Sequence, residues 1–541
     1  MKLEQGRVAA SIAAAVAAAL AFAGCGSDGS PGGGGSYLGM GGAGGSAQTG
    51  GSGGSAHPGG TGGSGTGGTA AVPPPAACEP DSPPTGPVYY VSVGGDDAND
   101  GSQSHPWFSI THAVESVDDG ATILVSPGTY SGEQLGSHHE VRLDRCFQSG
   151  VTVRSEVPYR AKLRGTEGVV VRSFYGCHIT LEGFDIAHDG SSSGPLLVMI
   201  QDTDPMDDEP VEYITIRNNV LHDSYDNDIL KLNSGAQHLV VERNIFYNQS
   251  GSDEHIDVNG VRDVAIQDNI FFNDFQGSGR TNGNDTSSYI VIKDSGEVMN
   301  GARDIRVVRN VFLHWEGASA GPCFVLVGED GLDFHEAVGV LVENNLMIGD
   351  SPNPIRAAFG VKSGEDITFR NNTVVGDLPS QAFAFRLNME SSAAGPNDNL
   401  LFVNNIWSDP TGTMDRFSQS RQGETGAFLI DHNVYWNGGA AVPDDPSQMV
   451  NPSNDAHAIQ GDPKLASQSG ITLPRWVEAE GKFADGSWYT CEAFRKLVES
   501  YGTPGAGSVA IDAADPASSP DHDMLGRPRG STPDLGAVEV P

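Results

Sequence analysis

Carboxylates and a scarce lysine gather in one stretch of this 541-residue chain. In order it reads Asp226-Asn227-Asp228-Ile229-Leu230-Lys231-Leu232, then Asp253-Glu254-His255-Ile256-Asp257-Val258, then Tyr289-Ile290-Val291-Ile292-Lys293-Asp294. Side chains alternate between the two faces of a strand, so the Leu, Ile and Val residues flanking Lys231, Asp257 and Lys293 turn inward, and those three project from one outer face. The chain has eight lysines, at positions 2, 162, 231, 293, 362, 464, 482 and 496, and only Lys231, Lys293 and Lys362 fall in such strands. Solvation on a surface strand suffices for Lys362. Around Lys293, the carboxylates of Asp228, Asp253, Glu254 and Asp257 would repel one another unless a cation neutralised them, and an all-oxygen donor set selects a hard ion such as Ca²⁺. A hard cation beside an amine suits removal of a proton next to a carboxylate, because the cation stabilises the charge that develops there. The amine can act as base only when neutral. A divalent cation and partial desolvation lower its pKa, whereas Asp257 and Asp294 oppose that shift until metal is present.

The elements that must position these residues are short strands in a repeat. A turn Asn followed by apolar residues recurs at Asn219, Asn244, Asn269, Asn310, Asn345, Asn372, Asn405 and Asn433, with successive separations of 25, 25, 41, 35, 27, 33 and 28 residues. An alternating strand such as Leu239-Val240-Val241-Glu242 precedes each Asn, a short apolar strand follows it, and a third strand follows a polar loop. Three strands per period with no helical periodicity predict an all-β chain folded as a right-handed parallel β-helix, each period one coil of a solenoid. The repeated Asn is read as structural: it tolerates the left-handed conformation of a tight bend, and its amide can bond to the next coil. Aligning Gly260 with Gly296 sets Asp257 and Lys293 side by side in adjacent coils. The amphipathic segment Ile110 to Val117 is expected to cap the open N-terminal end, protecting an edge that would otherwise pair with other chains. A second helix is expected from Cys491 to Tyr501.

At the acidic stretch the sequence resembles the family-nine polysaccharide lyases, pectate lyases with a β-helix fold. These carry an Asp before a strand in one coil, an Asp-Asp-Gly-aromatic-Asp run in the next, and a Lys before a Gly-rich turn in the coil after that. Asp228 matches the first position, Asp253-Glu254-His255-Ile256-Asp257 the second and Lys293 the third, in the same order and at similar spacing. The resemblance implies that Asp228, Asp253, Glu254 and Asp257 bind Ca²⁺ and that Lys293 is the base of a β-elimination that cleaves an acidic, uronate-containing polysaccharide. The chain departs from the pattern at Glu254, where the family has Asp, and at His255-Ile256, where it has Gly-aromatic. Arg280, in the long loop from Asp274 to Ser288, is a candidate to hold a neighbouring uronate or assist the leaving oxygen, and His255 is a second candidate acid.

Two other readings of the same residues are open: a β-helix glycoside hydrolase using two of Asp226, Asp253 and Asp257 without metal, and a surface glycan-binding adhesin in which the acidic ladder is a structural Ca²⁺ site. The formal charge of −38 argues against nucleic acid and anionic membranes as partners. It also means that a polyanionic substrate needs a bound cation or a local basic strip. Residues 1–25, with Lys2 and Arg7 ahead of an Ala-rich apolar run ending at Cys25, read as a lipoprotein-type signal, so the chain is expected to be exported, lipid-anchored at the cell surface or released. Residues 26–77 read as a Gly/Ser-rich disordered tether, 78–440 as the β-helix, and 441–541 as a C-terminal appendage or cap whose Asp and Arg residues hold the end; the protein is expected to be a monomer. Setting Cys25 aside leaves five cysteines, so at least one should stay free, and stacking of neighbouring coils could pair Cys146 with Cys177.

Overall fold

The computed structural model describes residues 83–84 and 86–541, apart from 167, 191–195, 206–208, 252, 281–284 and 297–299. Residues 1–25, expected as a signal, residues 26–77, expected as a tether, and Cys78 lie outside the described residues. Three long sheets run side by side along the chain. Among the described residues the first has 12 strands, from Val88–Val91 to Phe428–Asp431; the second has 10, from Val141–Arg142 to Ser418–Ser420; the third has 12, from Gly128–Tyr130 to Ile459–Gln460. Each strand pairs in parallel with its counterpart one coil away, as Glu212–Arg217 does with Gln237–Glu242. The chain is a right-handed parallel β-helix, the hand expected of parallel crossover connections. Each coil visits the first sheet, turns at an Asn into the third, crosses a loop to the second, and returns.

Inward side chains stack at fixed register. Ile179, Ile214, Leu239, Val264, Ile305, Val340, Ile367 and Leu400 form one such row, all buried. The rings of Phe246, Phe271 and Phe312 form another, with successive centroids 5.0 Å apart and nearly parallel. Full burial of each such side chain stabilises by roughly 1.5–3 kcal/mol before chain entropy is set against it.

The asparagines form a continuous polar ladder through this interior. Asn310, for example, accepts from the backbone N–H of Asn269 at 3.0 Å and from its Nδ2 at 3.1 Å, then donates in the same way to Asn345 Oδ1 at 2.8 and 3.1 Å. Its Nδ2 also donates to the Ile266 carbonyl at 2.9 Å. The pattern begins at Phe184 N–H and ends on Asp455 Oδ2, which accepts from Asn433 N and Nδ2. The left-handed residue is not the ladder Asn but the one before it: Asn218, Arg243, Asp268, Arg309, Asn344, Asn371, Asn404 and His432 have φ between 52° and 59°. The preceding residue takes the bend, which leaves the ladder Asn with its amide inside the coil.

Strands of the third sheet, such as Ile270–Phe272 and Val311–Leu313, are apolar without alternation because both faces are buried. Val220, Ile245, Ile270, Val311 and Leu346 face outward, and Trp476, Phe483, Phe494, Leu497, Val498, Met524 and Val538 cover them. The solenoid thus continues to Ile459–Gln460, and residues from Leu465 onward lie along its flank. The Asp and Arg residues near the C-terminus strap that flank: Arg529 Nη2 donates to Asn344 Oδ1 at 3.0 Å, and Asn404 Oδ1 accepts from Asp515 N–H at 2.9 Å. The second helix spans Thr490–Leu497 in this layer. At the other end, Ile110–Ser116 is capped by Ser109 and buries Ile110, Ala113 and Val114 in the solenoid core. Cys146 and Cys177, opposite each other in adjacent strands, form a disulfide; Cys491 is also disulfide-bonded, and Cys323 is free and buried.

Asn310→Ala would leave the Asn269 donors and the Ile266 carbonyl unsatisfied in a dry interior. The expected loss is on the order of 3–5 kcal/mol, read as a lower urea midpoint, against less than about 1 kcal/mol for an exposed Asn on the same coils.

Candidate active site

The outer face of the second sheet carries the acidic stretch, and strand register decides which groups meet. One row runs Arg172, Met199, Lys231, Asp257, Val291, Leu326, Gly360, Arg386 and Gln419. A second row, two residues along, runs Gln201, Asn233, Asn259 and Lys293. Lys231 is thus directly opposite Asp257, and Lys293 lies opposite Asn259. The expectation that Asp257 and Lys293 occupy equivalent positions is corrected by two residues. The turn after Lys293 is longer than the one after Asn259 because Asp294 closes it, accepting from Gly296 and Gly301 N–H, both at 2.7 Å. Asp294 therefore serves the turn, while Asp257 is still the strongest charge acting on Lys293.

Asp228, Glu254 and Asp257 bring one carboxylate oxygen each within 4.8 Å of one another, and all three are buried. Asp228 precedes the strand Leu230–Asn233 and is oriented by Glu254 N–H, which donates to its Oδ1 at 3.0 Å. Lys231 Nζ lies 2.5 Å from Asp257 Oδ2 and 3.7 Å from Asp228 Oδ2. Asp257 Oδ1 is buried and accepts no hydrogen bond among the described residues. Asp253 is at the rim, partly exposed and outside the trio, although Asp228 is the strongest charge it feels.

Lys293 Nζ makes its ion pair on the side of the next coil, 2.8 Å from Glu329 Oε2 and 3.6 Å from Asp330 Oδ1. Glu336, fully buried, holds that acidic turn by accepting from Glu329, Asp330 and Gly331 N–H at 2.7–2.9 Å. Sequence reasoning missed Glu329 and Asp330; the signal was the run Gly328-Glu329-Asp330-Gly331, one coil beyond Lys293.

Six carboxyls and two ammonium groups therefore share a mostly dry site. Burial and mutual repulsion push Asp228 up to about 6 and Asp253 to about 8, and hold Glu254 well above the usual carboxyl range. Asp257, beside Lys231, goes the other way and stays ionised. Burial opposes the charge on both lysines, but their carboxylate neighbours outweigh it and raise them above the ordinary value. A site holding its excess charge as protons, with a bare buried carboxylate oxygen, has the donor chemistry of a hard divalent cation.

Two candidates belong elsewhere. Arg280 is directed into the loop: its Nη1 donates to Asn248 O at 2.6 Å and Asp223 Oδ1 at 3.1 Å, its Nη2 to Ser250 Oγ and Ser224 O, and its guanidinium lies over the Tyr225 ring. Those donors tie it to its loop. His255 is inside the solenoid, fully buried, 4.6 Å from the Tyr289 ring, with Nε2 3.2 Å from Asn273 Oδ1. Burial lowers it to about 3, so it stays neutral in the core and cannot be an acid for the groove.

Further along the same face, Arg386 forms no ion pair among the described residues, and Lys362 and Arg356 join it in acting on the Cys323 thiol. Lys362 lies 3.7 Å from Glu390 and Arg356 donates to Gln381 Oε1 at 2.6 Å. Between this basic strip and the acidic centre is a small buried apolar patch of Val291, Cys323, Leu326, Ala357 and Ala382.

Residues 93–144, the capped N-terminal segment, match a family described as a protein of unknown function, DUF1565. Over 196 residues, 35% of this chain, the sequence is 30% identical to a lacto-N-biosidase of Bifidobacterium longum subsp. longum; the match spans 11% of that protein's length. The crystal structure of the pectate lyase Pel9A superposes with a TM-score of 0.52 over 84% of this chain and 97% of its own, at 15% identity. At that identity the likeness is one of fold.

Lys231→Met removes the counter-charge nearest the trio and leaves buried carboxylates uncompensated. In chelator it is expected to be less stable than the parent by roughly 3–5 kcal/mol in urea unfolding; equal stability would show that the ammonium does not neutralise the trio.

Proposed function

We propose that the outer face of the second sheet binds an acidic, uronate-containing polysaccharide and cleaves it by β-elimination, with Lys293 as base and a Ca²⁺ ion held by Asp228, Glu254 and Asp257, with Asp253 at the rim. One observation carries the reading: three buried carboxylates, one with a bare oxygen, converge on the face from which Lys293 projects. The pectate lyase fold supports the class of substrate, and the basic strip from Lys362 to Arg386 offers the local positive charge that a polyanion requires against the charge of −38.

In the reaction the C5–H bond of the uronate breaks and its proton passes to Lys293 Nζ. The electron pair becomes the C4–C5 double bond, the C4–O glycosidic bond breaks, and the leaving oxygen takes a proton. Bound Ca²⁺ would neutralise the substrate carboxylate so that charge can develop beside C5. Lys293 must first lose its proton to solvent; Glu329, 2.8 Å away, favours the ammonium form, and a cation in the trio disfavours it. Lys231 holds Asp257 in place and competes with an entering cation. Arg386 and Gln419, four and five coils from Asp257 at about 4.8 Å per coil, would contact the polymer well away from the reacting sugar.

A metal-free glycoside hydrolase is the second reading, and a specific observation favours it: Asp253 is held protonated up to about 8 near an ionised Asp257, which suits an acid and a base. The partial match to the lacto-N-biosidase fits the same reading. The two readings give different products. Incubation with pectate and alginate in Ca²⁺ is expected to yield unsaturated ends absorbing in the ultraviolet, lost with chelator and reduced at least about 1,000-fold in Lys293→Ala. Reducing sugar without unsaturation, insensitive to chelator, would support the hydrolase instead. Glycan binding with neither product would leave a surface adhesin.

A further inference from the structure

A second cluster of ligand-type side chains lies at the far end of the solenoid, where the asparagine ladder stops. His432 follows the last strand of the first sheet, Phe428–Asp431, and is the left-handed residue before the last ladder Asn; His457 lies in the loop before Ile459–Gln460. Their rings stack with centroids 4.2 Å apart, and each turns its Nδ1 toward the same carboxylate. His457 Nδ1 is 2.7 Å from Asp431 Oδ1, and His432 Nδ1 is 3.1 Å from Asp431 Oδ2. Among the described residues the buried His432 Nδ1 has that charge beside it and no hydrogen bond that meets ordinary geometry. One ligand atom from each of the three residues lies within 4.8 Å of the others.

This arrangement is set by Asp455. Its Oδ1 accepts from the backbone N–H of both His432 and His457, each at 3.0 Å, while its Oδ2 closes the ladder through Asn433 and takes the Tyr435 hydroxyl at 2.9 Å. One fully occupied carboxylate thus fixes both histidine backbones and leaves Asp431 and the two imidazoles to converge. Asp515, from the C-terminal strap, faces the same group closely enough for His432 and Asp431 to act on it. Two protonated imidazoles stacked face to face would repel. Two neutral ones present a pair of nitrogen lone pairs beside a carboxylate, the donor set of a borderline divalent ion and not of Ca²⁺.

We propose that Asp431, His432 and His457 form a binding site for a transition-metal ion of the Zn²⁺ class, open to solvent at its remaining position, which ties the last coil to the segment that follows it. Zinc at about 2.0–2.1 Å from each nitrogen needs ligand atoms roughly 3.3 Å apart. The His432 contact, at 3.1 Å from one Asp431 oxygen, is near that spacing, and His457, at 2.7 Å from the other oxygen and exposed over 61% of its side chain, has room to move out to it.

The test is a zinc titration by calorimetry of untagged, chelator-treated protein in millimolar Ca²⁺, which occupies oxygen-only sites. The parent is expected to bind one more Zn²⁺ per chain than His457→Ala, or to bind it at least about tenfold more tightly, with Asp431→Asn also weakened. Cobalt substituted at the site should give a visible spectrum that His457→Ala lacks. Because His457 contributes only an exposed side chain, its variant is expected to fold, and circular dichroism checks this. Identical zinc stoichiometry and affinity in the parent and both variants, or no zinc binding by the parent, would overturn the site. Neither result bears on the acidic trio, which lies many coils away.

Discussion

Coil-to-coil register is the constraint on which everything else depends. Parallel pairing repeats at about 4.8 Å, so side chains separated by 25 to 41 residues in sequence become nearest neighbours in space. That spacing is close enough for ring stacking and amide hydrogen bonds, and too close for like charges without compensation. Inside the solenoid it produces rows of aliphatic and aromatic side chains and the asparagine ladder. Outside it produces the convergence of Asp228, Glu254 and Asp257, whose repulsion the protein answers with Lys231 and with a raised affinity for protons on Asp228, Asp253 and Glu254.

The three sheets divide the work according to what covers them. The third is buried on both faces because the C-terminal layer lies on it. The outer residues that flank the ladder asparagines, Asn344 and Asn404 among them, double as anchors for that layer. The second sheet has polar and charged side chains along its outer rows, with a basic strip and an acidic centre separated by a small apolar patch. Glu336 beneath the Glu329–Asp330 turn and Arg280 within its loop are buried polar groups that act through the backbone they hold, so each can affect chemistry without touching a substrate.

Much of this was legible in the sequence. The period of the asparagines specified the solenoid, and alternation specified which side of each strand faces out; Lys231, Asp257 and Lys293 do share a face. Register was less legible. The first two residues of the longer turn after Lys293, Asp294 and Ser295, are indistinguishable from strand positions until the backbone hydrogen bonds are known, so Lys293 was aligned with Asp257 when its partner is Asn259. His255 and Arg280 take the places they do for a related reason. Residue type announces chemistry, but whether a ring enters the core or a guanidinium is consumed by carbonyls depends on loop geometry that no periodicity encodes. The continuous apolar strands of the third sheet did carry a signal for the C-terminal cover, since a solvated face would have alternated.

The central claim is that the carboxylate trio on the second sheet is a hard-cation site serving Lys293. Calcium titration of the chelator-treated protein by calorimetry tests it most directly. The account predicts one Ca²⁺ per chain in the parent, none in Asp257→Asn, and tighter binding in Lys231→Met, where no ammonium competes. Calcium binding with unchanged stoichiometry and affinity in Asp257→Asn, or none in the parent, would contradict it.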